Sequence, residues 1–270
     1  MKWQSPWSIG YPGWHIECSA MSTEYLGSTI DVHTGGEDNI FPHHEAEIAQ
    51  TECFTGKKYV KYWVHTRHLL IGGKKMSKSK GNLYTLPDIK EKGFSAMDLR
   101  LLLLSSNYRS QLDFSWEALT QAKKNMQRIN DFVSNLETIS KKEEGVETFN
   151  SSFYREKFEA AMDDDLNTTL ALAAVYELIS NTNKQIAEEK ISGNDAKNIL
   201  SLWKKMNSVF GFIIHAKANI PKEIQNLANQ REEARKAKDF AKSDELRALI
   251  EKQGYAVEDT KDGQKIKKVN

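Results

Sequence analysis

From Ser115 onward the apolar positions recur at gaps of three and four. Trp116, Leu119, Ala122, Met126, Ile129, Phe132, Val133 and Leu136 fall on one face of a helix. Ser115 suits the N-cap, and Glu117 sits in the first turn, where the helix dipole favours a carboxylate. Residues 153–162, 166–186 and 194–209 predict three more helices, and the polar stretch 141–150 reads as a linker. Four helices on short connections predict a bundle. After a second linker over 213–221, residues 222–253 predict one long charged helix stopped by Gly254 at its C′ position. Val257–Thr260 and Gln264–Lys267 flank Lys261-Asp262-Gly263, a hairpin signal. A helix plus one hairpin is too small to stand easily alone.

Before residue 110 the pattern is different. Ser28–His33 predicts a short strand running into a turn at Gly35-Gly36. Pro42 sits where a first helical turn would begin, and 43–50 has helical composition. Tyr62–Val64 and His68–Ile71 predict strands, the second closed by Gly72-Gly73, and Ala96–Ser105 predicts a compact apolar helix. Both cysteines, six of the seven histidines and four of the five prolines lie in this segment, a mixture typical of an active-site region.

Composition narrows the class. With 39% hydrophobic and 28% charged residues the chain can bury a core. A net charge of +1 gives no global basic field, so nucleic-acid binding would need local patches. No apolar run approaches the roughly 18 to 20 residues of a membrane span, and no signal peptide opens the chain. Cys18 and Cys53 cannot form a disulfide framework, so a reducing, cytoplasmic setting and no membrane partner are expected.

Three stretches carry candidate chemistry. Lys74-Lys75-Met76-Ser77-Lys78-Ser79-Lys80-Gly81-Asn82 gathers ammonium groups and hydroxyls between glycines. Such a loop can close over a polyphosphate, or simply be a solvated basic loop. His43 and Glu47 lie four apart, on one face of a helix. With Cys18 they offer a thiolate, an imidazole and a carboxylate, a set that suits zinc with an open position. A small buried cysteine and a polar helix start would account for the same residues. His33-Thr34-Gly35-Gly36-Glu37-Asp38 follows a predicted strand, where open α/β sheets bind nucleotides; an ordinary turn reads the same.

The order of residues decides more than their chemistry. Lys75-Met76-Ser77-Lys78-Ser79 matches all five positions of the KMSKS signature of class I aminoacyl-tRNA synthetases. Residues 11–21 (Tyr-Pro-Gly-Trp-His-Ile-Glu-Cys-Ser-Ala-Met) and 41–50 (Phe-Pro-His-His-Glu-Ala-Glu-Ile-Ala-Gln) resemble cysteinyl-tRNA synthetases closely, as does their spacing to the KMSKS loop. Residues 106–114, 162–168, 237–244 and 258–263 continue the resemblance.

The resemblance implies an α/β, Rossmann-like nucleotide-binding catalytic region over 1–110. An α-helical bundle over 111–215 and a small α+β unit over 216–270 would then contact the tRNA stem and anticodon. The implied activity is ATP-dependent formation of cysteinyl-adenylate and transfer of cysteine to tRNA(Cys). L-cysteine, ATP with magnesium and tRNA(Cys) would be substrates, and one zinc per chain a cofactor. Lys75 and Lys78 would act in catalysis; Lys78, Gly36 and Asp38 would hold ATP; Trp14 would wall the substrate pocket, although a core aromatic reads equally well. The family binds zinc by two cysteines, one histidine and one glutamate, of which Cys18, His43 and Glu47 match three. The fourth, a cysteine near the family's N-terminus, has no counterpart here, and Cys53 reads as structural. No His-x-Gly-His occurs, so the family's HIGH-containing first half of the catalytic domain would have to be supplied in cis or in trans. The chain alone is therefore expected not to form cysteinyl-adenylate. Two alternatives compete: a mycothiol-type cysteine ligase, which uses the same adenylate but a sugar amine as acceptor, and a non-catalytic tRNA-binding fragment. Residues 221–270, with 12 Lys/Arg against 10 Asp/Glu, are only mildly basic, which fits reading of unpaired bases better than phosphate attraction alone.

Overall fold

In the computed structural model residues 2–77, 81–142, 145–214, 221–260 and 263–268 are described. In chain order the elements begin with β1 (Trp3–Gln4), β2 (Ile9–Gly10), α1 (Trp14–Leu26), β3 (Ile30–Gly36), α2 (Glu45–Thr55) and β4 (Val60–Thr66). They continue with β5 (Leu69–Ile71), β6 (Lys74–Lys75), α3 (Leu86–Glu91), α4 (Ala96–Leu104) and β7 (Leu112–Phe114). The helices α5 (Trp116–Ile139), α6 (Ser152–Asp163), α7 (Thr168–Ala187) and α8 (Gly193–Phe210) follow. The chain closes with α9 (Lys222–Lys236), α10 (Phe240–Lys252), β8 (Tyr255–Thr260) and β9 (Gly263–Lys268). No described helix is long and apolar enough to cross a membrane.

The chain divides into two compact units. One gathers residues 1–126, 150–188 and 202–212; the other 127–149, 189–201 and 213–270.

In the first unit β3 and β4 form a parallel pair in the register Ile30↔Val60, His33↔Trp63, Gly35↔His65 and Gly36↔Thr66. The crossover between them carries α2. Ile30, Tyr59 and Val60 are buried beneath this pair, with Ile48 and Trp63 packed on them. Parallel strands are usually covered on both faces; here Val32 and Tyr62 are exposed, and among the described residues no third strand joins the pair. Gly35 and Gly36 were expected to form a turn. They instead extend β3 by three residues beyond His33, because both pair with β4. Pro42 was expected in the first turn of a helix, and it stands there: Phe41 before it is extended (φ −132°, ψ 132°), and the chain is helical from Pro42 through His44 into α2. α1 was not foreseen at all: its apolar and polar residues show no helical stripe, and only one of its residues is buried.

The helical prediction held best in α5. Ser115 Oγ accepts from the Ala118 N–H, and Leu119, Ala122, Met126, Ile129, Phe132, Val133 and Leu136 are all buried. α4 begins at a reciprocal cap, Ser95 with Asp98. Before α7, Asp165 and Leu166 adopt the left-handed conformation (φ 53° and 55°). Asp165 accepts from the Tyr108 hydroxyl at 2.7 Å and pairs with Arg109 at 2.6 Å, so the stretches 106–114 and 162–168 meet in the fold.

In the second unit the single long helix expected over 222–253 is broken. Lys238 is left-handed (φ 60°), and Asp239 caps α10 by accepting from the Lys242 N–H. The break lets Ile224 and Ala228 of α9 share one core with Ile250 of α10 and with Tyr255 and Val257 of β8; one continuous helix could not bury those faces against itself. Arg231 is buried and clamps the hairpin, donating from both terminal nitrogens to Asp259 at 3.0 Å and from Nη1 to Gln264 Oε1. The Arg231 hydrogen bonds, then Arg235, hold the Asp259 carboxyl down to about 2. The folded value lies below the ordinary 3.8, so the stabilisation is complete above about pH 4 and is lost as pH falls from there through about 2. Acid titration followed by amide exchange in β8 and β9 should show protection collapsing in that window, and an Asp259→Asn chain should show no such step.

Candidate active site

Side chains from α1, the segment ahead of α2, α2 itself, β3 and β4 gather in the first unit around Glu47 and its histidine neighbours. α1 carries Trp14, His15 and Cys18; Cys18 is four positions beyond Trp14, so they share a face. The segment ahead of α2 supplies His43 and His44, and α2 supplies Glu47, one helical turn beyond His43. β3 supplies His33, and β4 supplies Trp63 and His65 on one face, two residues apart.

The side chains of Cys18, His43 and Glu47 lie with their donor atoms within 4.8 Å of one another. Glu47 is fully buried. Its Oε1 stands 2.9 Å from His43 Nε2, yet in no orientation that makes a hydrogen bond. Burial first, then the negative charge of Glu47, push the Cys18 thiol up. A buried carboxylate with an unpaired oxygen beside a thiol that resists ionisation is a cluster a divalent cation would complete. The donor set fits zinc: sulfur, imidazole nitrogen and carboxylate oxygen, three protein ligands with a position left over.

Around this cluster lies a layer of rings. Trp14 stacks on His43 with centroids 4.0 Å apart, and His15 Nδ1 meets His43 Nδ1 at 2.6 Å. Trp14 itself is 57% exposed, so it forms the outer wall of the cluster rather than part of a core. His33 and His65 both stack on Trp63, and His44 Nδ1 meets His65 Nε2 at 2.8 Å. Burial, then the charge of His33, lowers His44 to about 4, so it is neutral at physiological pH. Gly35 makes room for this layer: a Cβ there would lie 2.6 Å from His44 Cε1. Sequence reasoning named His33 and Gly35 only as part of a nucleotide-binding turn and missed Trp63, His65 and His15. The available signal was the period of two, His33 and Gly35 on one strand opposite Trp63 and His65 on the next.

A second group forms where β3 ends. Asp38 accepts from Lys75 Nζ at 3.1 Å, and chiefly this bond lowers its carboxyl. Gly36 is extended (φ −74°, ψ 156°), and a Cβ on it would lie 2.7 Å from Asp38 Oδ1. Asn82 ties the two arms of the lysine-rich loop together, accepting from the Ser77 N–H and donating to the Lys75 carbonyl. Lys78, expected to hold ATP phosphates, lies outside the described residues. Cys53 is exposed on α2, away from both groups, and is no part of a core.

The family described as tRNA synthetases class I (C) catalytic domain matches residues 1–124. The DALR domain matches 157–214, and the cysteinyl-tRNA ligase anticodon binding domain matches 217–266. The cysteine–tRNA ligase of Chlamydia felis (strain Fe/C-56) is 44% identical over 275 residues, 99% of this chain and 57% of that protein. The cysteine–tRNA ligase of Protochlamydia amoebophila (strain UWE25) is 42% identical over 98% of this chain and 56% of that protein.

The chain belongs to the cysteinyl-tRNA synthetase family.

It spans a little over half the length of these curated family members. Among solved structures, the ternary complex of Agrobacterium radiobacter K84 agnB2 LeuRS with tRNA and LeuAMS shares the fold. It has a TM-score of 0.59 and 15% identity, over 78% of this chain and 32% of that one. A putative arginyl-tRNA synthetase from Campylobacter jejuni gives 0.52 and 14%, over 77% and 52%. Among the described residues of this family member, the Cys18–His43–Glu47 cluster and the Asp38–Lys75 group are the two candidate sites described above.

Proposed function

We propose that this chain works as part of a cysteine–tRNA ligase, which activates L-cysteine with ATP and transfers it to tRNA(Cys). The observation that carries the reading is the Cys18–His43–Glu47 cluster, in a chain 44% identical to a cysteine–tRNA ligase. Cys18, His43 and Glu47 would hold the metal; when bound, zinc supplies a thiophilic centre for the substrate thiolate. Serine offers only a hydroxyl, a far poorer ligand, whereas packing alone discriminates such near-isosteres by roughly 10- to 200-fold. Trp14 covers the cluster and would exclude water from the bound side chain. Gly36 allows close approach of adenosine, and Asp38 would accept from its ribose. Lys75, freed from Asp38, and Lys78 would neutralise the phosphates of magnesium-bound ATP.

The parts 1–110, 111–215 and 216–270 would divide the work into activation, stem contact and anticodon contact. The matches to the DALR and anticodon-binding domains support that division and favour tRNA over a sugar amine as acceptor. The bare parallel pair β3–β4, with Val32 and Tyr62 exposed, supports a further stretch of synthetase polypeptide, in cis or in trans, that completes the sheet.

A cysteine-dependent ATP–pyrophosphate exchange assay tests the whole reading. The chain alone should show no exchange above background. Addition of the remaining portion of a related cysteine–tRNA ligase should restore it, together with charging of tRNA(Cys). Robust exchange by the chain alone would refute the need for a complement; failure of any complement to restore exchange, with binding of tRNA(Cys) retained, would leave the non-catalytic tRNA-binding fragment as the better reading.

A further inference from the structure

Glu47 belongs to two clusters at once. Besides Cys18 and His43, it lies within 4.8 Å, donor atom to donor atom, of His33 and His44. Its two oxygens separate these clusters. Oε2 accepts from His33 Nε2 at 2.6 Å. That contact meets both the distance and the orientation of a hydrogen bond. The lone pair that Oε2 turns to His33 is therefore already used by a hydrogen bond. Oε1 makes no hydrogen bond, and it faces His43.

The terminal torsion of a glutamate is broad and two-fold, so an untethered carboxylate presents either oxygen at any of many angles. Tethering one oxygen fixes the direction of the other. His33 is well placed to do this because its own position is set twice. Its backbone is paired to β4 beside Trp63, and its ring stacks on the Trp63 indole at 4.7 Å and 25°. The ring also meets Tyr59 edge-on at 6.1 Å.

We propose that His33 is a positioning residue for the metal site: its Nε2–H holds Glu47 Oε2 so that Oε1 is aimed at the space shared with Cys18 and His43. This rests on the zinc reading above and adds to it a residue outside the ligand set. A carboxylate only accepts, so the proton lies on His33 Nε2. Trp63 acts one step further out, by holding the ring that holds the carboxylate.

Two substitutions in the full chain have opposite expected effects. His33→Phe keeps a ring against Trp63 and deletes the donor. His33→Gln loses the ring and keeps an N–H donor at a similar reach. Zinc affinity is read by competition with a chromophoric chelator at fixed pH, and circular dichroism of the zinc-free chains checks that each folds. His33→Phe should weaken zinc roughly 10- to 100-fold, the usual loss for an outer-shell partner, whereas His33→Gln should stay within about threefold of the parent. Parental affinity in His33→Phe would overturn the positioning role and leave the zinc reading standing. So would loss of affinity in His33→Gln, since the ring and not its N–H would then matter; that arm suffices if His33→Phe does not fold. A parent chain that binds no zinc would overturn both.

Discussion

Replacing Cys18 by alanine is expected to strip the chain of tightly bound zinc. Metal analysis after exhaustive dialysis should find about one zinc per parent chain and close to none per variant chain. Cys18 supplies the only sulfur in the cluster, since Cys53 lies exposed elsewhere on α2. His43 and Glu47 alone would make a two-ligand site, and the loss should exceed the roughly 10- to 100-fold that removal of an outer-shell partner costs. The metal-free chain should hardly notice. There the thiol sits beside a buried carboxylate that resists its ionisation, and truncating a half-buried cysteine removes about one small apolar group, of order 1 kcal/mol. The informative comparison is therefore thermal: added zinc should raise the melting temperature of the parent, as any ligand of the folded state does, and leave the variant where it was. Serine at position 18 should behave like alanine, because a hydroxyl does not ionise to replace a thiolate. Unchanged zinc content in Cys18→Ala would remove Cys18 from the site.

The other large effect concerns the second unit. Asp259→Asn should destabilise it by roughly 3 kcal/mol, the lower end of the range for breaking a buried ion pair. The cost arises at Arg231, which is only 3% exposed and would keep its charge without a full counter-charge. Asp259 is 43% exposed, so water reaches its side of the pair and limits the loss. Arg235, also paired to Asp259, is half exposed and would simply turn to solvent. The small core around Ile224, Ala228 and Ile250 has little to set against such a loss. Hydrogen exchange should show α9, α10 and the hairpin opening together while α5 and α7 keep their protection. Replacing Arg231 by methionine in the same chain should recover most of the stability, since an apolar side chain of similar length asks for no partner. If the double variant is no more stable than Asp259→Asn, the buried charge is not the cause.

Much of the candidate site was legible in the residue order, but unevenly. His43 and Glu47 needed only the helical period, and the lysine-rich loop needed only its own five residues. Asp38 was named through the family resemblance, since an ordinary turn after the strand reads the same. Its contact with Lys75 could not be foreseen, because the two residues lie 37 apart in sequence and no local pattern announces their meeting. Cys18 joined His43 and Glu47 as a candidate through its thiol, and resemblance strengthened it; α1 lacks an apolar stripe, so neither its helix nor the direction of its thiol shows in the sequence. The layer of His33, His44, Trp63 and His65 was missed because its members are spread over two strands and a bend. They become neighbours only when β3 and β4 pair in parallel and in one register.

The sequence by itself determined the four helices between residues 115 and 210, the Ser115 cap and the buried face of α5, because a 3.6-residue period and a side-chain cap are properties of neighbours along the chain. It also determined the family, through motifs long enough to be specific. Tertiary structure alone decided where the tail helix breaks, since the left-handed Lys238 is sustained by a core that α9 and α10 share. It likewise decided that Gly35 and Gly36 are strand, and that one oxygen of Glu47 is held by His33 while the other is left unpaired. Those outcomes depend on contacts between residues far apart in sequence, and burial, not local preference, sets their energies.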